Sequence, residues 1–411
     1  MSIAAILQFN MLRHGIPFCL ILLYPLAVFA LADPSDTFQP SVSGNITYDD
    51  NLFRQSSSPN IPLFNGLIRD DVINQTTVSS AVNYTLGRQK LKLDLNVSYV
   101  LFANNKFLDN ISSNDRATWD WQLGKQFSGE IGYAYTRAMG GFSNTTFYGL
   151  NMITNNNVYA NLNYAWHPRW KMRTGLSWQD YINSASQRTA YDQQTVTALA
   201  GLNYATPSNN STGLEYTFSE GKYPNQQLIN STAIDNKFQQ HIISALLTWS
   251  PTAKTSLNGN LGYNIRLYPD FSQRNFSGET YNLTLDWTPA TKMKLALSAS
   301  RQLNNWTDIT ASYILTQGFS VSPMWQVSPK LALTAKLSRQ TLNYTGDQIT
   351  PGPTRQDTVL NGQVSLIYTP TSNAEITLGY QAGKRVTINP PNNQPYDYIF
   401  NSVFSSVMLK F

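Results

Sequence analysis

The residues with the clearest capacity for chemistry lie in one short stretch, YDDNLFR, from Tyr48 to Arg54. Asp49, Asp50 and Asn51 carry hard oxygen atoms of the kind that bind calcium or a sugar. Asp and Asn side chains also bond to nearby backbone groups and start turns, so the same residues can form a corner between two strands. Three oxygens on one segment do not make a site, and no helper ligands are identifiable, so the corner is favoured. We predict no metal and no cofactor.

Catalytic residues are not predicted either. His167 and His241 are the only histidines beyond the N-terminal segment. His167 lies in a predicted turn, and Ser244 is the hydroxyl nearest to His241. Because these two residues are three apart, they would lie on opposite faces of a strand. No nucleophile elbow, zinc-protease motif or phosphate-binding loop occurs. The sequence therefore predicts a protein that is not an enzyme.

Residues 1–32 have the pattern of a cleaved secretory signal peptide. An Arg-His pair precedes an apolar run at 16–29, and ALA at 30–32 fits the cleavage site. The single cysteine, Cys19, lies inside this segment, so the mature chain would have no disulfide and no thiolate metal site. We predict that residues 33–411 form a single exported domain.

The composition excludes two broad classes of protein. Charged residues make up only 13% of the chain, while aromatic residues make up 12%. This balance is too poor in Lys and Glu for an ordinary cytosolic enzyme. The net charge of +5 is small, and the basic residues of the chain are not clustered. Nucleic-acid binding needs a clustered basic face. We therefore predict no nucleic-acid partner.

Strict alternation of apolar and polar residues runs through the chain after the signal. In 91–101 the odd positions are apolar, and 257–267 repeats the pattern with Asn and Arg between the apolar residues. A period of two over ten or more residues predicts long strands with one apolar and one polar face. No later segment has a convincing amphipathic helical pattern.

Short turns recur along these strands, each with an aromatic residue followed by Gly or Pro. The turn markers lie 37 to 44 residues apart: Gly87, Gly124, Pro168, Pro207, Pro251, Pro289, Pro329 and Pro370. A propeller blade has a similar period but contains four short strands. Here each unit has two strands, a tight turn and a long polar segment. The favoured fold is an all-β, transmembrane, antiparallel up-and-down β-barrel with short periplasmic turns and long extracellular loops.

The strand count closes at about eighteen. Eight turns account for sixteen strands, with one more before them at 38–48 and one after them at 398–411. An even number places both termini in the periplasm. The last strand ends in an aromatic, and Leu409 and Phe411 resemble the C-terminal signal read by the barrel assembly machinery, with Ser406 where glycine is usual. The predicted location is the outer membrane of a Gram-negative bacterium, with outer-membrane lipid as a partner.

Strand parity assigns a set of charged residues to the inner face of this barrel. The principal members are Lys92, Asp94, Glu130, Arg173, Glu215, Arg266, Asp286, Lys294 and Lys336. Basic and acidic residues are interspersed rather than arranged in a ring of one sign. Solvation of a wet lumen and selectivity for a weakly anionic polymer both remain open explanations.

The N-terminal motifs also resemble a known family. YDDNLFR and the run RDDVINQTTVSSAVNYTLGRQKLKLDLNVSY at 69–99 are similar to the putative β-barrel porin 2 family, and within it to EpsL-type proteins associated with exosortase and exopolysaccharide systems. The resemblance covers roughly the first hundred residues. It implies an outer-membrane barrel tied to polysaccharide production, with polysaccharide and export-system proteins as partners. It supplies no catalytic residues.

Three functions are consistent with these observations. The first is a channel or accessory protein for exopolysaccharide biosynthesis or export, which the resemblance favours. The second is a general diffusion porin, because sixteen to eighteen strands can enclose an aqueous channel. The third and least favoured is a barrel enzyme. A long loop at 49–71 or 137–156 could fold inward and close the lumen.

Overall fold

The computed structural model describes residues 37–56, 67–145, 147–208, 210–225, 227–229, 232–270, 272–305, 313–345, 354–390 and 396–411. The predicted signal peptide, 1–32, lies outside these residues. Within them, twenty strands form one 18-stranded sheet and one small hairpin. The strands are β1 (Phe38–Asp49), β2 (Asp71–Leu86), β3 (Gln89–Phe102), β4 (Asn110–Leu123), β5 (Phe127–Met139), β6 (Met152–His167), β7 (Trp170–Asn183), β8 (Gln193–Ala205), β9 (Ser211–Lys222), β10 (Gln227–Ile229), β11 (Thr232–Ile234), β12 (Phe238–Thr252), β13 (Thr255–Leu267), β14 (Phe276–Ala290), β15 (Met293–Asn305), β16 (Tyr313–Ser328), β17 (Leu331–Thr345), β18 (Gln356–Thr371), β19 (Ala374–Ile388) and β20 (Tyr398–Lys410).

The large sheet closes into a barrel. Each strand pairs antiparallel with the strands before and after it, β9 pairs with β12, and β10 pairs only with β11 in the connection between them. The first and last strands then pair with each other, from Ser41 opposite Lys410 to Asp49 opposite Ser402. Every strand therefore has two neighbours, as lipid requires, because it cannot satisfy a free sheet edge. The predicted closed antiparallel barrel of about eighteen strands is confirmed.

The strands are longer than the apolar band needs. The eighteen barrel strands described here have 12 to 16 residues each, such as the 16 residues of β2 and β16. The sequence pattern suggested strands of about ten residues, which is the length that crosses the band. The additional residues lie beyond the alternating runs, where the sequence becomes polar but the backbone ladder continues.

Tight turns join the strands at one end of the barrel. Gly87 and Gly124 have positive φ angles of 61° and 63°, which lie in the left-handed region that favours glycine. Several other hairpins have a register shift beside the turn, as between Trp249 and Thr252. The two ends of the barrel sequence, Phe38 and Lys410, also lie at this end. By the rule for outer-membrane barrels, this end is periplasmic.

The apolar side chains face outward. Exposed aromatic residues beside the turns include Trp166, Trp249, Trp287 and Trp325. Rings with a polar edge are favoured at the membrane interface, so these residues form an aromatic girdle. At the C-terminus, Leu409 pairs with Val42, and the Phe411 amide donates to the Pro40 carbonyl at 2.9 Å. No helix in the described ranges has the length and apolar content needed to cross a bilayer.

The buried apolar residues gather at the other end, where the connections are longer. Three clusters form there from residues of the connections and of the adjacent strand ends. Short 3-10 turns at Lys106–Leu108, Ser186–Tyr191 and Ser272–Arg274 contribute to this region. The packed part of the molecule is therefore the mouth of the barrel, which we define as the long connections and the inner strand ends that they contact.

Candidate functional site

The inner wall of the barrel is polar. The charged residues assigned by parity lie on the strand faces opposite the exposed apolar side chains: Lys92, Asp94, Glu130, Arg173, Glu215, Arg266, Asp286, Lys294 and Lys336. On β3, for example, Lys92 and Asp94 alternate with the exposed Leu91, Leu93 and Leu95. These charges line the space enclosed by the barrel.

Several charges on the inner face of β3 to β9 form ion pairs between strands. The described ion pairs are Lys92–Asp120 at 2.7 Å, Arg116–Glu130 at 3.6 Å and Arg173–Glu215 at 3.6 Å. Arg116 also donates to the Tyr159 hydroxyl at 2.8 Å. Because these side chains are partly exposed, each pair adds little stability, about 0–1 kcal/mol. Their main effect is on the electrostatic potential along this wall.

The inner face of β15 to β19 has a different chemistry. Hydroxyl and amide side chains predominate there: Ser298, Ser300, Ser320, Ser322, Thr334, Ser338, Asn361, Gln363, Ser365, Thr377 and Gln381. Lys336 lies among them, and no ion pair involves it in the part of the chain that the structure describes. This wall therefore offers hydrogen-bonding groups and two exposed cations, Lys294 and Lys336, to a passing solute.

The YDDNLFR stretch forms a corner at the place where β1 pairs with β20 and closes the barrel. Arg54 has a positive φ of 53° and donates through both Nη atoms to the Asp49 carboxylate, each at 2.7 Å. Its guanidinium also stacks over Phe400 of β20 at 3.7 Å. Asp50 accepts from the backbone and side-chain nitrogens of Asn401 at 2.7 and 2.8 Å. The carboxylates thus hold β1 to β20.

Asn51 completes this corner. Its side-chain nitrogen donates to the Ile399 carbonyl at 2.9 Å, and its backbone amide donates to Asp49 at 2.9 Å. After this turn, Leu52 and Phe53 point away from the outer surface and pack into a buried cluster. The structure therefore uses Asp49, Asp50, Asn51 and Arg54 in contacts within the protein.

That cluster joins three of the long connections inside the mouth. Leu52 and Phe53 follow β1, Leu108 precedes β4, and Phe142 follows β5, and all pack together with Phe102. The rings of Phe53 and Phe142 are 4.8 Å apart. Burial at this position raises the pKa of the nearby Tyr148. The described residues Leu52 and Phe53 of the first connection and Phe142 of the third therefore pack inside the mouth.

Asp71, at the start of β2, anchors the second connection. Its carboxylate accepts from the backbone amides of Asn104 and Asn105 at 3.0 and 2.9 Å, and from the Asn105 side chain at 2.9 Å. It is fully buried. The second aspartate of the RDD motif is thus a structural residue of the mouth.

Arg385 holds the third connection from across the barrel. This residue is on β19, six strands around the barrel from β5, yet its two Nη atoms donate to the Ser143 carbonyl and the Asn144 side-chain oxygen. Asp357 lies beneath it, with Arg385 at 3.4 Å and Arg355 at 2.7 Å. All three charged side chains are almost completely buried. We call Arg355, Asp357 and Arg385 the latch.

The fourth connection, between β7 and β8, also reaches across the mouth to the opposite wall. Tyr191, between β7 and β8, packs against Ile314, Leu342 and Val359 of strands β16 to β18. In the closed order, β8 and β18 are eight strands apart, nearly opposite each other. Gln193 at the start of β8 also accepts from Asn305 of β15 at 2.7 Å. The described connections therefore narrow the outer end of the lumen.

The two histidines that the structure describes show no catalytic arrangement. His241 faces outward beside the Tyr216 hydroxyl, whose oxygen lies 2.8 Å from the His241 Nδ1 atom, whereas Ser244 faces inward. His167 accepts from the Arg169 amide at 3.1 Å in a turn. Among the described residues, no group of three or more His, Cys, Asp or Glu side chains is arranged to hold a metal.

Sequence reasoning missed the latch and Tyr191. The odd positions of β18 and β19 face inward, so parity could have placed Asp357 and Arg385 on the lumen side. No sequence signal connects Arg385 to Ser143, because the contact joins a wall to a loop 242 residues away in the chain.

The closed sheet, outward apolar residues and polar interior define an outer-membrane β-barrel of the porin type. Residues 257–411 match the family described as Putative beta-barrel porin 2. The match covers β13 to β20, a different region from the motifs at 48–99, and it supports that family. No curated protein matches the chain.

Solved outer-membrane channels have a similar fold. OpdK of Pseudomonas aeruginosa is 10% identical, with a TM-score of 0.50 and coverage of 91% of this chain and 99% of that chain. OccK2 (OpdF) of the same organism is 12% identical, with a TM-score of 0.51 and coverage of 91% and 98%. A BenF-like porin of Pseudomonas fluorescens is 10% identical, with a TM-score of 0.51 and coverage of 92% and 99%. At these identities the likeness concerns the fold.

Proposed function

We propose that the protein is a passive channel for small polar solutes across the outer membrane, and that it is not an enzyme. The observation that carries this proposal is the mouth: Arg385 and Tyr191 bring two connections across a polar, charge-lined lumen. Water and small solutes can use a polar wall without a specific site. A bulky polymer would first have to displace the packed connections.

The similar channels indicate which solutes to test first. OpdK has been crystallised with vanillate, and OccK2 has been crystallised in complex with glucuronate. Both compounds are small carboxylates. Lys336, which forms no ion pair with any described residue, lies on a wall of hydroxyl and amide groups and is compatible with solutes of this size and sign.

The test is swelling of proteoliposomes that contain the mature barrel. We expect swelling in isosmotic arabinose, glucose and glucuronate, a slower response with a disaccharide, and none with dextran. An empty-liposome preparation and a heat-denatured sample are the controls. Swelling rates equal to those controls with every small solute would reject the channel proposal.

Exopolysaccharide export is the second candidate, and it rests only on the resemblance of residues 48–99. It would also require polysaccharide and export-system partners. A deletion strain separates the two candidates. Reduced uptake of small solutes with normal surface polymer supports the diffusion channel, whereas normal uptake with reduced polymer supports the export role.

A further inference from the structure

The outer surface of β17 and β19 carries two cations where lipid is expected. On β17, Arg339 lies two residues from Leu337, which is 60% exposed, and therefore faces outward with it. On β19, Lys384 faces outward in the same way as Val386. Leu360 of β18 pairs with Arg339 on one side and with Lys384 on the other. The two cations are therefore two strand spacings apart, roughly 10 Å.

An apolar groove of about 510 Å³ lies beside these cations. Its walls and floor are formed by Phe319, Val321, Leu337, Leu360, Gly362, Ala382 and Ile399. Gly362 and Ala382 form the floor of the groove and leave it deep, because they carry little or no side chain. A Cβ atom added at Gly362 would meet only the Leu337 Cδ2 atom, at 3.3 Å. The groove has the volume and the apolar lining to take part of a hydrocarbon chain.

No acidic residue of the described chain neutralises this pair. The outward positions of β16 to β20 contain no Asp or Glu, and neither Arg339 nor Lys384 forms an ion pair among the described residues. By contrast, the outward Arg301 on β15 pairs with Glu279 on β14. A charge on the lipid face is unfavourable, by an amount that falls from the midplane to the interface. An anion from the membrane would remove that cost.

The position of the two cations along their strands determines which leaflet of the membrane they face. Lys384 is four residues from the loop end of β19 and ten from its turn end. It therefore lies in the half of the barrel next to the long extracellular connections. The lipids of the outer leaflet are the ones that can reach it with a phosphate group.

We propose that Arg339 and Lys384 bind the phosphate of a phosphorylated outer-leaflet glycolipid, with one of its acyl chains in the groove over Gly362 and Ala382. The two cations form charge-assisted contacts with phosphate oxygens. The apolar walls cover the chain. The site lies outside the lumen and does not depend on what the barrel transports.

Native mass spectrometry of the folded mature barrel in detergent tests this site. The probe is bisphosphorylated lipid A, compared with the same lipid after removal of both phosphates. We expect one tightly bound lipid A per barrel and at least about tenfold weaker binding of the dephosphorylated lipid, since charge-assisted contacts are lost. This comparison uses the unaltered protein, so it does not depend on any variant folding. Equal binding of the two lipids would overturn the proposal.

Variants then locate the site. Arg339→Gln combined with Lys384→Gln should weaken lipid A binding at least about tenfold. Arg137→Gln combined with Lys237→Gln removes the same charge near the loop end elsewhere and should leave binding unchanged. Gly362→Leu keeps both cations but fills the groove, and should also weaken binding. Arg339→Lys should retain most of it.

Two results would contradict this assignment. The first is unchanged lipid A binding in the folded Arg339→Gln/Lys384→Gln variant. The second is a dimer of the unaltered barrel that binds no lipid A and that the same variant dissociates, because the occupant of the groove would then be a second copy of the chain. Folding of each variant is checked by its heat-modifiable mobility.

Discussion

The mouth and the wall of the lumen each contain an ion pair at the same separation, 2.7 Å: Arg355–Asp357 in the mouth and Lys92–Asp120 on the wall. Their surroundings differ. The Asp357 side chain is 0% exposed, while that of Asp120 is 31% exposed. Distance alone would rank these pairs as equal. Burial separates a contact that holds the mouth together from one that water can replace.

The partners of Asp357 strengthen this difference. Its carboxylate accepts from Arg355 at 2.7 and 3.0 Å, accepts from the Tyr344 hydroxyl at 3.1 Å, and faces Arg385 at 3.4 Å. Removing a buried charge leaves its partners buried and uncompensated, whereas removing an exposed one leaves a solvated partner. The mouth should therefore depend on each of its charges, and the wall should tolerate their loss.

The largest effect is expected for Asp357→Asn. This change leaves Arg355 and Arg385 buried without their carboxylate and should destabilise the mouth by about 3–5 kcal/mol. We expect faster protease cleavage near Ser143 and a lower urea midpoint in lipid vesicles. Asp120→Asn is the matched control and should cost about 0–1 kcal/mol. Equal losses for the two variants would contradict the difference drawn between mouth and wall.

A smaller effect is expected when Arg385→Gln removes only the cation that holds the third connection. Asp357 keeps Arg355, so the expected loss is about 1.5–3 kcal/mol, the range for hydrogen bonds to charged groups. Release of Ser143 and Asn144 should widen the mouth and raise the single-channel conductance. Arg173→Gln on the wall is the control and should leave the width of the mouth unchanged. An unchanged conductance in a folded Arg385→Gln barrel would show that the latch does not set the opening.

The same contrast explains what the sequence could predict. A period of two specifies strands, the outward apolar face and the inward charges, and the recurring turns specify the strand number. These features repeat along the chain, so they are visible without the fold. The contacts of the mouth do not repeat. Phe53, Tyr191 and Arg385 each meet a partner from a distant connection or strand, and loop residues carry no periodic signal of where they pack.

The third and weaker expected effect is a loss of stability of the mouth at alkaline pH. Tyr223 and Tyr268 follow β9 and β13 and pack in one cluster. Burial raises the pKa of both phenols. Above the ordinary tyrosine pKa of about 10, the unfolded chain releases these protons while the folded chain retains them, so stability falls as pH rises.

Tyr223→Phe serves as the control for this pH dependence. The substitution keeps the ring and removes the ionisable hydroxyl, so the stability of the barrel should fall less steeply above pH 10 or so. The measurement is the urea midpoint of the two proteins between neutral and alkaline pH. Identical pH profiles would assign the alkaline loss to groups outside this cluster.

The smallest effect on stability and the sharpest effect on transport are expected for Lys336→Glu. The wall of β15 to β19 offers hydroxyl and amide groups around this lysine, so reversing its charge changes the potential without breaking an ion pair in the described chain. The unfolding free energy should change by no more than about 0.5 kcal/mol. Ion selectivity should nevertheless move toward cations, because a charge on a lumen wall acts directly on permeating ions. The reversal potential across a planar bilayer in a KCl gradient measures this shift.

Lys292→Glu makes the same charge change in a turn outside the lumen and should shift selectivity much less. Equal shifts for the two variants would mean that overall charge, and not the position of Lys336 on the wall, controls selectivity.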